Sequence, residues 1–550
     1  MAGTRRTPNR HPQAPPGGPK RNRRVLWLLA VGVALVCVAL VSARLYREHH
    51  MRHGKWTRAA AAAGVAAAGS GLAAAASLPV PPTTIGINLS SPAPYRASRA
   101  FANLVLGSNW QLAAPKPPPI TPDQLDKDGN LLRLPNDIAV YRMLNQPAFG
   151  SDATIRCTFA GRGMIKVAGS GVRGNNTGGA NDVTFHWVNN GSYGKSLIML
   201  KIIALDQTNP IRDLDCREAN MPRNIRFEPH FLDFVRQFKV IRFMDWQNTN
   251  NNAPVTWGTR HTPSSVEVRD QDGVSVEDMV DLATQTNTDA WFNMPWNADD
   301  DYVRRFAQYV HDHLPRDRHV YVEAGNEVWN AQFPASKQAK QEGVDEGLSP
   351  NPEDARLFRY AEKLTQVMDI WAKVFADRPG QLIRVANCQN GPNRSNQVLA
   401  YKDTAKHIDA LATAPYFGFD LRINPPTNTD EAFARMNDLV DKALDSAGHA
   451  KAVAYKFGKR YIAYEAGQHI ILRKDKELPP LIQRDPRMYD AYKRYLDTWR
   501  EKFGDTIMMF DSVQPIVGTG SWGLLEYLGQ PVADAPKMRA VSDALHQAQR

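Results

Sequence analysis

The 550-residue sequence contains only four cysteines, and no spacing among them resembles a metal site. It also lacks a phosphate-binding loop, a dinucleotide-binding fingerprint and a zinc motif. No internal repeat of solenoid length occurs. These absences exclude the repeat architectures, and they give no reason to expect a metal or a cofactor.

Two of the cysteines, Cys157 and Cys216, lie in or beside a β-rich stretch of the chain. In an oxidising compartment they could pair as a disulfide bond. Two separate buried thiols are the alternative, and the sequence does not decide between these two states.

The folded part of the chain also lacks net charge. The whole chain has a formal charge of +11 at pH 7, but residues 1–58 contain twelve Lys or Arg and a single acid, Glu48. That region accounts for the entire excess, so residues 59–550 are electrically balanced. Because the basic residues belong to a targeting region, we do not expect nucleic acid as a partner.

Residues 25–43 form a run of nineteen residues without a formal charge, just long enough to span a bilayer. Arg21, Arg23 and Arg24 favour a cytoplasmic N-terminus, although basic residues also follow the run. We predict a basic, Pro-rich tail at 1–24, a transmembrane or signal-anchor segment at 25–43 and an Ala/Pro-rich linker at 44–82.

An alternative start lies at Met51, because the residues from there to about Ala76 resemble a signal peptide on their own. Either start predicts export of the remaining chain, which would be secreted or anchored on the extracytoplasmic face of a membrane. A re-entrant hairpin at 25–43 would instead leave it in the cytoplasm.

From residue 83 onward, short β-branched runs alternate with amphipathic helical stretches, the pattern of parallel β/α architecture. Eight strands are predicted, at 84–89, 239–244, 289–294, 319–323, 382–386, 408–413, 461–464 and 506–510. Eight strands with helices between them indicate an α/β fold of the (β/α)8 TIM-barrel type, built from 83–128 and 220–548.

The first two predicted strands are separated by roughly 150 residues, far too many for one βα connection. From about 129 to 214 the chain has short alternating runs broken by Gly/Asn clusters, which is typical of antiparallel strands with tight turns. We therefore predict a β-sandwich inserted at 129–219.

Glutamates lie at the ends of two predicted barrel strands. VEAGNEVWNAQF (322–333) places Asn326 and Glu327 just beyond the fourth strand, and YIAYEAGQHI (461–470) places Glu465 at the end of the seventh. Glycosidic hydrolysis needs two carboxyl groups flanking one bond, one protonated and one ionised. Strands four and seven face each other across a barrel mouth, so these side chains can approach the ~5–5.5 Å that retaining enzymes use.

These motifs resemble clan A glycoside hydrolases, in which an Asn-Glu pair ends strand four and a Glu ends strand seven. The resemblance covers 84–125 and 220–548. IRFMDWQNTN, GNEVWN, APYFG and YEAGQH also resemble a bacterial family described as cellulose-binding proteins, whose members often have a Tyr-Ser or similar pair where this chain has Ala324-Gly325.

The clan resemblance implies roles for individual residues. Glu327 matches the general acid/base and Glu465 the nucleophile. Asn326 would hydrogen-bond the sugar 2-hydroxyl, and Arg242 would keep the nucleophile ionised. Tyr416 could donate a hydrogen bond to the nucleophile.

Further candidates for substrate contact lie near the strand ends. Trp522 matches the aromatic floor beneath the sugar, and Trp296 and Trp329 could pack on apolar sugar faces. Asp245 and His469 are candidates for binding hydroxyl groups. Each tryptophan could instead be core packing, and Arg242 could instead form a structural ion pair with Asp245.

The sequence thus predicts an exported retaining glycosidase that cleaves a β-linked polysaccharide or oligosaccharide, such as a cellulose-like glucan, by double displacement. The alternative is a cellulose- or glucan-binding protein that has kept only the aromatic cleft of a hydrolase. The two glutamates favour the enzyme, because a pure binder does not need both. A membrane-anchored scaffold is a third hypothesis that rests on composition alone.

Overall fold

The structure, a computed structural model, describes residues 80–113, 119–146, 152–177, 181–188, 197–268 and 273–548. The predicted tail and the apolar segment at 25–43 lie outside the described residues, as does the predicted linker except for 80–82. Within the described ranges, no helix has the length and apolar character needed to cross a membrane.

The first barrel strand, β1 (Thr83–Asn88), is followed in the described chain by two four-stranded antiparallel sheets. Their strands are β2 (Gln111–Leu112), β3 (Val140–Met143), β4 (Asp152–Ala160), β5 (Gly163–Ala168), β6 (Val172–Thr177), β7 (Asp182–Val188), β8 (Met199–Leu205) and β9 (Arg212–Glu218). The strand orders are β2-β3-β8-β5 and β6-β7-β4-β9. Strand β2 lies before residue 129, where the sequence predicts the insertion to begin.

The two sheets share one hydrophobic core. Alternate residues of β4 are buried, Ile155, Cys157 and Phe159 among them, because successive side chains of a strand point to opposite faces. They pack with residues of the other sheet such as Leu200. Cys157 lies opposite Cys216 on β9, and the two form a disulfide bond, so the structure has the first of the two states that the sequence left open.

The chain then completes a closed barrel of eight parallel strands, which confirms the predicted barrel. After β1, the barrel strands are β10 (Val240–Arg242), β11 (Asp289–Met294), β12 (Val320–Ala324), β13 (Leu382–Asn387), β14 (Ala410–Thr413), β15 (Arg460–Ala466) and β16 (Asp505–Met509). Each pairs with the next in the chain, and β16 pairs with β1.

Side chains from these strands fill the barrel, including Trp291, Tyr321 and Met508. Gly86 on β1 leaves room for Met508, since a Cβ there would lie 2.3 Å from the Met508 sulfur. Because the interior is packed, an open site is available only at an end of the barrel.

Helices surround the strands on the outside. They are α1 (Pro229–Val235), α2 (Val276–Thr286), α3 (Asp300–His313), α4 (Pro334–Asp345), α5 (Pro352–Val374), α6 (Pro392–Ala400), α7 (Thr429–Ala434), α8 (Met436–Lys456), α9 (Leu478–Arg484), α10 (Arg487–Lys502) and α11 (Pro536–Ala548). Asp299 caps α3 by accepting a 2.7 Å hydrogen bond from the Tyr302 amide, and the acids that follow it complement the helix dipole. The helices bury their apolar faces on the barrel and so fix the strand ends that carry the site.

Candidate active site

Arg242, the last residue of β10, lies at the centre of a buried hydrogen-bond network. Its side chain has no exposed surface. Nε donates to Glu323 at 2.6 Å, and Nη1 donates to Asn88 and Glu465, each at 2.8 Å. Nη2 donates to Asn326 at 2.9 Å. One guanidinium therefore joins the carboxyl ends of β1, β10, β12 and β15.

An irregularity in β15 brings two neighbouring side chains into the mouth. The pairing of β15 with β16 shifts between Ala463 and Ala466, where β15 has one residue more than its partner. Side chains of a regular strand alternate between faces, and a bulge of this kind breaks the alternation. Tyr464 and Glu465, inside the irregularity, both contact residues of the site.

Glu327 follows β12 in a left-handed backbone conformation, with φ of 44°. Such a φ is costly for a residue with a side chain, and strain of this kind is concentrated at functional sites. Gly325, with φ of 65°, precedes it, and a Cβ at this glycine would lie 2.9 Å from the Val328 side chain. The turn after β12 therefore needs glycine at this position.

Neutral groups hold the Glu327 carboxyl. The Asn330 side-chain amide donates to Oε2 at 2.8 Å, and the Tyr464 hydroxyl donates to Oε1 at 2.9 Å. The Trp329 indole in turn donates to the Tyr464 hydroxyl at 3.2 Å. Both glutamates are thus held by hydrogen bonds, but the donors differ: Glu327 accepts from an amide and a hydroxyl, whereas Glu465 accepts from a guanidinium.

Burial raises the pKa of both Glu327 and Glu465, and a nearby negative charge raises each of them further, that of Glu323 for Glu327 and that of Glu327 for Glu465. Arg242 acts in the opposite direction and lowers the pKa of both, but only Glu465 also accepts a hydrogen bond from it. The pair therefore titrates as a unit and favours holding one proton between its two carboxyl groups.

An aromatic wall extends from Glu465 to the surface. The Tyr416 hydroxyl donates to Glu465 Oε2 at 2.9 Å, and burial raises the pKa of Tyr416 well above its usual value, so it remains a donor. The His469 ring packs edge-on against Tyr416 at 5.1 Å and against Trp522 at 5.4 Å. Phe419, 40% exposed, lies 5.4 Å from His469.

The structure separates the other predicted contact residues. Trp329 is half-buried beside Glu327 and remains a candidate for sugar packing. Trp296 is 3% exposed in the hydrophobic core, with the Arg359 guanidinium 5.7 Å from its ring, so almost none of its surface can face a sugar. The prediction that Trp296 packs on a sugar is therefore corrected: Trp296 is a core residue.

Asp245 is half-buried and follows β10 in the loop. Burial raises its pKa, with Arg96 and Arg242 acting against that shift. The ion-pair partners of Arg242 in the described chain are Glu323 and Glu465, not Asp245. The alternative prediction, a structural ion pair between Arg242 and Asp245, is therefore wrong.

Sequence patterns missed several residues of the site. These are Asn88, Glu323, Asn330, Phe419 and Tyr464. One signal was available for Glu323, because an acid inside a strand of apolar residues rarely stays buried without a charged partner. Among the described residues, no group of three or more His, Cys, Asp and Glu is arranged to hold a metal ion.

No family model and no curated protein matches this sequence, so the likeness to cellulose-binding proteins stays a prediction. Solved structures that the comparison matches to this chain include the GH51 arabinofuranosidase from Xanthomonas axonopodis pv. citri, at 12% identity over 55% of this chain and 63% of that chain, with a TM-score of 0.36. An alpha-L-arabinofuranosidase from Thermotoga maritima has 10% identity over 51% of this chain and 57% of its own, with a TM-score of 0.33.

An endo-1,4-beta-xylanase from Caldicellulosiruptor owensensis has 12% identity over 58% of this chain and 92% of its own, with a TM-score of 0.34. The chain thus spans less than two thirds of the length of the two arabinofuranosidases. Likenesses of this size carry no argument about activity, and the barrel stands on its own strand pairing.

Proposed function

We propose that this chain is a retaining glycoside hydrolase that cleaves a β-linked polysaccharide or oligosaccharide by double displacement. The observation that carries the proposal is the pair of buried glutamates at the ends of β12 and β15, held by unlike partners. Retaining hydrolysis needs this asymmetry, with one carboxyl group protonated and the other charged.

Glu465 is the nucleophile. It forms an ion pair with Arg242, whereas Glu327 accepts hydrogen bonds from the Asn330 amide and the Tyr464 hydroxyl. A cation 2.8 Å away favours the ionised form, so the charge of the pair belongs on Glu465 and the proton on Glu327. Tyr416, donating to the other oxygen of Glu465, orients the attacking carboxylate.

Glu327 is the general acid and then the general base. A protonated carboxyl group can still accept hydrogen bonds from Asn330 and Tyr464, which leaves its O–H free to point into the mouth. Glu327 gives this proton to the leaving oxygen while Glu465 attacks the anomeric carbon. In the second half-reaction Glu327 takes a proton from water while the water oxygen attacks the anomeric carbon. The bond between that carbon and Glu465 breaks, which releases Glu465 as a carboxylate.

The surrounding residues define where the sugar lies. Asn326 donates one amide hydrogen to Asn250 at 3.0 Å and has a second for the sugar 2-hydroxyl. Trp522, His469 and Trp329 present ring surfaces suited to the apolar faces of pyranose rings. This arrangement supports a glycan as substrate.

The decisive experiment compares the purified full chain with Glu465→Gln and Glu327→Gln on aryl β-glycosides, β-glucans, xylan and mannan. We expect reducing sugar from the wild type and loss of turnover in both variants, with Glu353→Gln, an exposed acid on α5, as the matched control. NMR of the first product should show retention of anomeric configuration, and inversion would refute the assigned geometry. Binding to an insoluble glucan without any cleavage would support the binding protein instead.

A trapping experiment tests the nucleophile directly. An activated 2-fluoro glycoside slows the second half-reaction, so a covalent glycosyl-enzyme accumulates and is visible by intact-protein mass spectrometry. The adduct should map to Glu465 and be missing from Glu465→Gln. An adduct on another residue would contradict the assignment.

We further propose that the barrel acts outside the cytoplasm, exported through the segment at 25–43 or from a start at Met51. The Cys157–Cys216 disulfide supports this, because disulfides persist mainly in oxidising compartments. Protease added to intact cells should cleave the barrel if it is exported and anchored. Protection in intact cells, together with free thiols at both cysteines, would place it in the cytoplasm.

A further inference from the structure

Arg242 has two acidic partners, and the chemistry proposed above uses only one of them. The second, Glu323, extends into the barrel from β12 and has no exposed surface. Its Oε1 accepts hydrogen bonds from Arg242 Nε at 2.6 Å and from the Trp291 indole at 2.8 Å. Its Oε2 accepts from the Asn387 amide at 2.9 Å. Three donors on three neighbouring strands converge on this carboxylate.

The contact with Glu323 fixes the direction of the arginine. A guanidinium is planar, and its five N–H groups have fixed relative directions. Once Nε is held by Glu323, the directions of the two Nη groups are fixed as well, and these donate to Glu465 and to Asn326. The two residues that would contact the reacting sugar are therefore oriented through a carboxylate that lies below them.

Glu323 also changes the charge of the site. Arg242 is permanently protonated, and without Glu323 its whole charge would act on Glu465 and, through space, on Glu327. With Glu323 in place, its negative charge largely compensates the positive charge of Arg242, so less of that positive charge acts on Glu327 and Glu465. In a site closed to water, this compensation has a strong influence on the reacting acids.

We propose that Glu323 is a positioning residue for the hydrolysis proposed above, which it presupposes: it aims Arg242 at Glu465 and Asn326, and by compensating the arginine it sets the pH range in which the two reacting glutamates work.

The tyrosines and the cysteine around this network are neutral near pH 7. Burial raises the pKa of the three tyrosines and the cysteine that face it, the cysteine to about 12. They are Tyr360 on α5, Cys388 after β13, Tyr416 after β14 and Tyr464 on β15. Asp245, in the loop after β10, is a further acid that interacts with Arg242, and burial raises its pKa. The charges that matter are therefore those of Arg242, the three glutamates and Asp245.

The substitution Glu323→Gln removes the charge and can keep the hydrogen bonds. Its carbonyl oxygen can accept from Arg242 and Trp291. Its amide needs an acceptor, and Asn387 Oδ1 is buried without a hydrogen-bond partner in the described structure. Rotating the Asn387 amide by half a turn exchanges its oxygen and nitrogen and provides that acceptor.

The expected result is a shift of the whole pH profile. Glu323 raises the pKa of Glu327 directly and shields Glu465 from Arg242. With the charge removed, both carboxyl groups ionise at lower pH, so both limbs of the kcat/KM profile move down by about one unit. A purely structural role would lower kcat without moving both limbs together.

Two variants separate charge from position. Glu323→Asp keeps the charge but shortens the reach to Arg242, so kcat should fall about tenfold or more while the limbs stay in place. Asp278→Asn is the matched control, because Asp278 is a buried acid paired with Arg226 outside this network. It should lower stability and leave the profile unchanged. If Glu323→Gln does not fold, an unchanged kcat in Glu323→Asp refutes the proposal.

A second readout does not depend on turnover. The full chain labelled with 13C at glutamate carboxyl carbons can be titrated by NMR, with the two signals assigned from Glu327→Gln and Glu465→Gln. Both titrations should move to lower pH in Glu323→Gln, and unmoved titrations overturn the proposal. If the wild type cleaves no glycoside, the proposed hydrolysis fails, while these titrations still decide whether Glu323 sets the charge of the pair.

Discussion

The mouth of the barrel and the core between the two inserted sheets are both buried, but different forces hold them. The insertion core consists of apolar side chains such as Ile155, Trp187 and Leu200, cross-linked by one disulfide. The mouth contains a guanidinium and three carboxyl groups in contact with one another or close by. Burial of apolar surface stabilises the first region, whereas burial of charge costs free energy in the second.

This difference indicates which region was shaped by folding and which by function. A group of charges is retained at a cost to stability when its chemistry is needed, and active sites are where shifted pKa values concentrate. Removing a reacting acid from the mouth should therefore change activity more than stability, and removing the cation that pairs with these acids should cost stability in a way that depends on pH. Substitutions in the insertion should lower stability and leave activity nearly unchanged. The four predictions below test that contrast, beginning with the largest effect.

Glu465→Gln should lower kcat by at least about 10⁴-fold and leave stability nearly unchanged or increased. The raised pKa values of Glu465 and Glu327 mean that the folded state binds protons more tightly than the unfolded state. Wild-type stability therefore falls as the pH rises from the ordinary glutamate pKa through the raised values. This fall should be smaller in the variant, measured by urea unfolding across the pH range. A variant that loses activity because it unfolds at all pH values would break the comparison.

Arg242→Met should destabilise the protein by about 3–5 kcal/mol, because it leaves two buried acids without their cation. Arg226→Met is the control, since Arg226 pairs with Asp278 nearer the surface and should cost less. Thermal unfolding at pH 5 and pH 8 measures both. The loss at Arg242 should be smaller at pH 5, where the acids can be protonated. Equal losses at both pH values would contradict the description of the mouth.

Removing the disulfide with Cys157→Ser and Cys216→Ser together should destabilise the chain by about 2–4 kcal/mol. Among the described residues the bond belongs to the insertion core, a hydrophobic cluster distinct from those of the barrel, so kcat and KM at 25 °C should stay near wild type. Cys388→Ala, a buried free cysteine in the barrel, is the matched control. A large loss of activity in the double variant, with folding intact, would show that the insertion contributes to the site.

The sequence predicted the barrel well, because each strand is a short, mostly apolar run and, apart from the two sheets between β1 and β10, each strand pairs with the next one along the chain. Strand β10 is shorter than the strand predicted at 239–244, since the backbone turns away after Arg242 to begin a loop. The positions of Glu327 and Glu465 also followed from local patterns. A strand end is a local feature that periodicity marks.

What the sequence could not predict depends on contacts between distant strands. Glu323 is recognisable only through Arg242, Trp291 and Asn387, each on a different strand. The irregularity in β15 leaves no mark in the apolar pattern. Trp296 is near a strand end in the chain, yet its loop turns inward, and no local pattern gives the direction of a loop.

The smallest expected effect concerns the aromatic wall. Phe419→Ala should raise KM about fivefold to tenfold on an oligosaccharide, roughly 1–1.4 kcal/mol, with little change in kcat, because a sugar ring packed on an exposed phenyl ring is bound equally in ground and transition states. Trp296→Phe, in the core, should lower the melting temperature and leave KM unchanged. Steady-state kinetics and thermal unfolding measure both. If Trp296→Phe raised KM as much as Phe419→Ala, Trp296 would contribute to substrate binding despite its burial in the core. The contrast between residues that stabilise the fold and residues that bind substrate would then fail within the barrel itself.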